Sequence, residues 1–435
     1  MKNLLIHSVT VVTMEESHQI FYGYVIVEKG LFKTVGKGSP SSKEIADADE
    51  VIDGQGKWLM PGLVNTHGHL GSTLLRGAGD DMPLMDWLKQ IMWPNESRFD
   101  KETVTIAAQL AMIEMIKSGT TTFLDMYHLF MEDMAELVID IGMRATLCRG
   151  MIGLCSEEEQ EQKLAESVKL YKDFHGESDG KISIALSPHA PYTCPPPFMK
   201  RAAEEAKKHN MMIHTHVSET RGEVEQHVKE YGKRPIVHLE ELGLFHSPCL
   251  IAHGVHVNEE EMVILKENDV AVSHNPISNL KLGSGIAPIP EMVSKGITVG
   301  LGTDSTASNN NLDLFEEMRM AALIHKGKQE NPSVTNSLKT LEMATFKGAE
   351  ALRISQLGKI RSKFKADFIL VDPAAPHLTP WENNRVHSHL VYAAKGSDVT
   401  DVFVGGKALY SNKSLVKLDE EKILYEANNK LENFV

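Results

Sequence analysis

The chain has 435 residues, 42% apolar and 24% charged, the balance of an ordinary globular protein rather than a disordered or fibrous one. Its formal net charge is −14 with no block rich in lysine or arginine, which argues against nucleic acid or an anionic membrane as partner. Four scattered cysteines, Cys148, Cys155, Cys194 and Cys249, form no CxxC pair. That suggests neither a disulfide framework nor a thiolate zinc site, and it suits a reducing cytoplasm.

The start, Met1-Lys2-Asn3-Leu4-Leu5-Ile6-His7, meets polar residues too early for a signal peptide, and no stretch is apolar enough to span a bilayer. Residues 1–60 read as short strands and turns. Val9–Val12 and Tyr24–Val27 are β-rich, Gly30, Gly36 and Gly54 punctuate them, and no helical periodicity stands out.

From residue 61 the texture becomes strand, loop, helix, repeated. Thr103–Lys117 reads as a helix with Val104, Ala107, Ala108, Ala111, Met112 and Met115 on one face, Asp100 as its cap and Gly119 at its end. Strands are predicted at Gly62–Thr66, Thr120–Asp125, Met143–Arg149, Lys181–Ser187, Met211–His216, Cys249–His253, Val270–Ser273 and Thr298–Gly302. Helices fill most gaps, among them Met199–His209 and Leu312–His325. Eight such units are the count of a (β/α)₈ TIM barrel. A doubly wound sheet competes, but no GxGxxG follows a first strand.

Beyond about residue 355 strands return without helices between them, at Asp367–Val371, Val399–Val404 and Lys407–Tyr410, with Gly405-Gly406 as a hairpin turn. The two ends are alike in texture. The expected organisation is a small β-sandwich domain from residues 1–60 and 356–435, flanking a catalytic barrel over 61–355.

Functional groups of such a barrel gather at the C-terminal ends of its strands. His67 and His69 follow the first strand, one residue apart, so both imidazoles point one way from an extended backbone. His189 follows the fourth strand, His216 the fifth, His253 the sixth and Asp304 the eighth. His67, His69, His216 and Asp304 can form a shell of three imidazoles and one carboxylate, which suits Zn²⁺ first and Fe²⁺ second over Mg²⁺ or Ca²⁺. The fourth-strand segment Ile182–His189 carries no lysine to bridge a second ion, so one divalent metal per chain is expected.

Glu219, three residues after His216, is placed to carry a proton between an attacking water and a substrate. The competing reading is a charge at the start of a helix over Arg221–Lys229. His253 is placed to orient the water. Glu96 lies among Trp87 and Trp93, a setting for a sugar-and-base ligand, or is a surface or capping glutamate. Met82, Met85 and Met92 either line a thioether pocket or fill the core.

These residues carry a resemblance. Pro61-Gly62-Leu63-Val64-Asn65-Thr66-His67-Gly68-His69, His216-Val217-Ser218-Glu219-Thr220, Ile251-Ala252-His253-Gly254, Val272–Leu282, Leu301-Gly302-Thr303-Asp304-Ser305 and Lys365-Ala366-Asp367-Phe368 together resemble the amidohydrolase superfamily. Within it the chain is similar to deaminases of aromatic amino-heterocycles. Asp86-Trp87-Leu88 through Trp93-Pro94-Asn95-Glu96 carries a narrower likeness to those acting on adenine nucleosides with 5′-thioether substituents.

The resemblance implies a barrel plus β-sandwich and a mononuclear zinc site on His67, His69, His216 and Asp304. It implies that Glu219 shuttles a proton while His253 and Asp304 activate water. Glu96 would hold ribose hydroxyls, His189 would contact the nucleoside, and Arg149 would meet a homocysteine carboxylate. Trp87 counts among the substrate-binding candidates. A second arginine is common in the subfamily, where this chain offers Lys163, Lys169 and Lys172. The expected partner is a small nucleoside, with self-association left open. The alternatives are a deaminase or chlorohydrolase of another amino-heterocycle (guanine, cytosine or a triazine) and a silent binding protein on the same fold.

Overall fold

Eight parallel strands close on themselves in the computed structural model, which describes residues 3–431. Met1, Lys2 and residues 432–435, part of the expected terminal segments, lie outside the described residues. The barrel strands in chain order are Leu63–Asn65, Thr120–Tyr127, Arg144–Met151, Ile182–Pro188, Met212–Val217, Cys249–His253, Ala271–His274 and Val299–Leu301. Pairing of Leu301 with Asn65 closes the ring. Each strand lies within three residues of its expected place.

The barrel is a packed core rather than a pore. Val64, Leu124, Met126, Cys148, Ala185, Leu250 and Ala271 form one buried cluster, drawn from six strands and shared with Ala349 and Leu352. Their neighbours at odd spacing, such as Leu147 and Ile251, pack outward into the layer shared with the helices. The helix Lys101–Lys117 starts where expected, because the Asp100 side chain accepts from the Thr103 amide at 2.8 Å.

Both ends of the chain feed one mixed sheet of nine strands, in which Trp58–Pro61 pairs with Leu4–Val12 on one side and Phe368–Val371 on the other. Gly405 and Gly406 both take positive φ, 56° and 71°, between Val399–Val404 and Lys407–Ser411, as a tight hairpin of right-handed twist requires. A buried ion pair joins sheet to barrel. Arg144 at the start of the third barrel strand donates from Nε and Nη2 to Asp367 at 2.7 and 3.1 Å, and Asp367 also accepts from the Gly405 amide.

Two expectations fail. The C-terminal region is not free of helices: Val386–Tyr392 lies between its strands, and Glu420–Leu431 packs Ala427 against Ile106 and Ala107 of the first long barrel helix. The latter buries only Ile423 and Ala427, so its apolar stripe is too thin for a periodicity argument. The first sixty residues also hold a short helix, Ser42–Ala46, started by a reciprocal cap between Ser41 and Glu44. Among the described residues, no helix is long and apolar enough to cross a membrane.

Candidate active site

Three imidazoles meet at the C-terminal mouth of the barrel, each held from behind by its Nδ1. His69 Nδ1 lies 2.5 Å from the Met126 carbonyl oxygen and His216 Nδ1 lies 2.8 Å from that of His189. Carbonyl oxygens only accept, so both Nδ1 atoms carry the proton and both Nε2 atoms present lone pairs. His67 reaches the same state through a relay. His214 donates from Nδ1 to the Leu250 carbonyl at 2.9 Å, which leaves its Nε2 to accept from His67 Nδ1 at 2.8 Å.

The three lone pairs face one another. His69 Nε2 and His216 Nε2 are 3.4 Å apart, and His67 Nε2 is buried without a hydrogen-bond partner. Asp304 Oδ1 lies 3.4 Å from His67 Nε2 and 3.2 Å from His69 Nε2. The ligand-type atoms of His67, His69 and Asp304 all fall within 4.8 Å of one another, as do those of His67, His216 and His253. Converging lone pairs repel unless a cation lies between them, so these residues fit a divalent metal with nitrogen and oxygen preference.

The electrostatics agree. Burial works to raise the Asp304 carboxyl, but hydrogen bonds and charge from His67 and His69 outweigh it and hold the group well below the usual carboxylate range. Burial likewise opposes a charged His69, yet Asp304 raises it to about 9. The point between them favours positive charge, as a proton or as a metal ion. Asp304 is fixed by three further donors: Ser278 Oγ at 2.6 Å, Ser308 Oγ at 3.0 Å and the Ser305 amide at 2.8 Å.

Glu219 and His253 stand over this centre, with Glu219 Oε2 3.7 Å from His253 Nε2. Burial raises the Glu219 pKa first, His253 lowers it and Asp304 raises it further, with a net upward shift. Glu219 precedes the helix Arg221–Tyr231 and its cap Thr220, and it faces the cavity. Its backbone is pinned from behind, because the two oxygens of Glu223 accept the amides of Ser218 and Glu219 at 2.8 and 2.7 Å. His253 Nδ1 lies 2.8 Å from Asn279 Oδ1. Ser218, His253 and Asp304 all have left-handed φ, 54°, 75° and 65°, a costly backbone state that tends to gather at functional sites.

A cavity opens above these groups. His189, Glu96, Trp87, Tyr127, Met92 and Trp93 are on its wall. Burial pushes Glu96 up to about 7 and His189 down to about 3. The Tyr127 hydroxyl is buried beside Glu96, and burial first and the Glu96 carboxyl next push it well above the usual phenol range. Trp87 anchors its indole N–H on the Ala78 carbonyl at 3.1 Å, which leaves its ring to the cavity. Met92 lines the cavity, whereas Met85 is 38% exposed and outside it.

Arg149 stands apart. It lies in the third barrel strand, but its guanidinium forms an ion pair with Glu166 of the helix Glu157–Phe174, Nη2 to Oε2, at 2.6 Å. Lys163 donates to the Ile152 carbonyl at 2.9 Å. Sequence reasoning missed His214, Ser278, Asn279, Tyr127 and Glu223. His214 carried a signal, since it sits two residues before His216 and so on the same face of its strand. Ser278 and Asn279 lie inside Val272–Leu282, a stretch that had no assigned task.

Comparisons with known proteins agree with this architecture. A model of the amidohydrolase family matches residues 58–409. A 5-methylthioadenosine/S-adenosylhomocysteine deaminase of Halalkalibacterium halodurans is 53% identical over 427 residues, 98% of this chain and 97% of the relative. One from Shouchella clausii is 49% identical, covering 98% of each chain. The crystal structure of an adenosine deaminase from Xanthomonas campestris with bound zinc superposes with a TM-score of 0.93 at 33% identity, covering 100% of this chain and 98% of that one. The chain belongs to the amidohydrolase family.

Proposed function

We propose that the chain is an aminohydrolase that deaminates the adenine ring of 5′-methylthioadenosine and S-adenosylhomocysteine, consuming water and releasing ammonia and the inosine analogue. The observation that supports it most is the meeting of three imidazole lone pairs and Asp304 beneath a cavity walled by Glu96 and Trp87. The near full-length likeness to deaminases of that name points the same way. In this reading catalysis belongs to residues 61–355, and residues 1–60 with 356–435 form the supporting domain.

His67, His69, His216 and Asp304 would hold one divalent ion, zinc by likeness to the Xanthomonas campestris relative. Bound there, such an ion supplies Lewis acidity and lowers the pKa of water to about 7. The remaining chemistry falls to the chain. Glu219, raised by burial, takes a proton from the attacking water and delivers it to ring N1 as C6 is attacked. Asp304 and His253 accept and orient the water's hydrogens, and the side chain of Asn279 fixes His253. The water's second proton passes from the new C6 hydroxyl by way of Asp304 to the exocyclic nitrogen, the C6–N bond breaks, and ammonia leaves while N1 keeps the first proton and C6 becomes a carbonyl. Glu96 accepts the ribose hydroxyls, and His189 and Trp87 wall the nucleoside.

Ammonia release from a panel of adenosine, 5′-methylthioadenosine, S-adenosylhomocysteine, guanine, cytosine and a chlorotriazine tests the reading. Highest kcat/KM on the 5′-thioether nucleosides supports it. Preference for any of the last three overturns it.

A further inference from the structure

One lysine ties together three of the loops at the barrel mouth. Lys281 ends the short helix Pro276–Lys281, which also sets Ser278 against Asp304 and Asn279 against His253. Its ammonium reaches two other loops. It pairs with Asp80 Oδ1 at 2.6 Å in the segment after the first strand. It also donates to the Ala307 carbonyl at 3.3 Å and to Asn310 Oδ1 in the segment after the eighth. The Asn310 carbonyl accepts in turn from Arg76, which also pairs with Glu114. The lysine side chain is only 22% exposed, so these contacts are partly shielded from solvent.

The segment so held covers the cavity, with Leu84, Trp87, Leu88, Met92, Trp93 and Glu96 on the wall. Beyond Asp80 its hydrogen bonds turn inward. Trp87 Nε1 donates to the Ala78 carbonyl at 3.1 Å, Asn95 Nδ2 to that of Ile91 at 2.8 Å and Ser97 Oγ to that of Pro94 at 2.9 Å. Gly77 and Gly79 take positive φ, 75° and 74°, just before Asp80, where the backbone turns easily. Arg76 and Asp80 thus form the polar root of the segment, and the buried Leu84, Trp87 and Met92 its apolar seat.

We propose that Lys281 is a positioning residue that clasps residues 76–97 over the cavity and holds Glu96 and Trp87 in register with Asp304 and Glu219. The inference rests on the deaminase reading above. Different loops grip the ribose and the adenine of one nucleoside, so tight binding needs those loops to keep their spacing. Without the clasp, part of the binding energy goes to closing the segment, and affinity falls by the fraction of time it is open. Glu219 and Asp304 keep their own supports, so the proton chemistry survives. Lys281 is not on the cavity wall and acts through Asp80 and Asn310.

Trypsin reads the clasp without turnover. Lys89 is exposed in the middle of the segment, and cleavage there requires local opening. Nicking at Lys89 is followed by mass spectrometry in metal-loaded wild type, Lys281→Met, Asp80→Asn and the double variant, beside kcat and KM for 5′-methylthioadenosine. Lys347→Met, which breaks a surface pair with Glu350, controls for charge and should match wild type. Nicking and KM should each rise about three- to tenfold in both single variants, the scale of a shielded, hydrogen-bonded ion pair, with kcat within about twofold of wild type. The double variant should match Lys281→Met, because Asp80 acts through that lysine. Saturating inosine product should slow nicking in every form. Nicking or KM unmoved in both single variants overturns the clasp, as does a double variant whose effects add. Nicking that spreads along the whole chain makes Lys281 a residue of general stability and overturns it too. Ammonia from neither thioether nucleoside in wild type overturns the deaminase reading, and the nicking then decides the clasp by itself.

Discussion

His214 Nε2 accepts from His67 Nδ1 at 2.8 Å, while the far nitrogen of His214 donates to the Leu250 carbonyl. This relay fixes which nitrogen of His67 carries the proton and aims the lone pair of His67 Nε2 toward His69 and Asp304. His214→Ala should therefore weaken metal affinity by about 10- to 100-fold with little change in fold. Zinc content after dialysis against graded chelator measures it. Retention equal to wild type would mean that the barrel wall alone orients His67.

Glu219→Gln keeps the shape of the side chain and removes its proton chemistry. Turnover should fall by roughly 10²–10⁴, with zinc content and KM close to wild type. A loss smaller than tenfold would leave Glu219 as a charge before a helix and require another proton carrier.

The convergence of the candidate site residues was legible in the sequence because it obeys strand geometry. His67, His69, His216, His253 and Asp304 each follow a β-rich run, and period-two alternation with barrel topology brings them to one mouth. What was illegible depends on loops. Ser278 and Asn279 serve Asp304 and His253 only because the segment after the seventh strand folds back over the sixth and eighth. The fate of Arg149 was hidden for a related reason. Its strand position was plain, but its partner Glu166 comes from the next helix, whose rotation no strand argument fixes. The helix Glu420–Leu431 was missed because two buried residues make no pattern.

The ion pair of Arg144 and Asp367 is nearly sealed from water, with side chains 4% and 1% exposed. Removing one partner strands a buried charge. Asp367→Ala should destabilise the protein by about 3–5 kcal/mol, whereas replacing both residues by well-packed apolar ones should cost far less. Thermal inactivation half-lives at fixed temperature compare the variants without assuming reversible unfolding. If the single and double variants lose the same stability, the pair contributes packing and not charge compensation.

Glu96 joins substrate choice to pH. Burial lifts its pKa to about 7, so the free enzyme carries a neutral carboxyl below that pH and a carboxylate above it. Ribose hydroxyls donate, and a carboxylate accepts from them more strongly than a neutral acid does. The sign follows: kcat/KM for 5′-methylthioadenosine should fall as pH drops through about 7 and level off above it, with Glu96→Gln removing that limb. The same variant should lower kcat/KM for the ribonucleoside by about ten- to hundredfold, the worth of hydrogen bonds to a buried charge. It should lower that for the 2′-deoxy analogue much less, so the preference for ribose collapses. Profiles of both substrates over about pH 6 to about pH 9, in wild type and Glu96→Gln, contain the whole test. A ribose preference that survives the substitution would assign the hydroxyls to another group, with the Tyr127 hydroxyl beside Glu96 the first to examine.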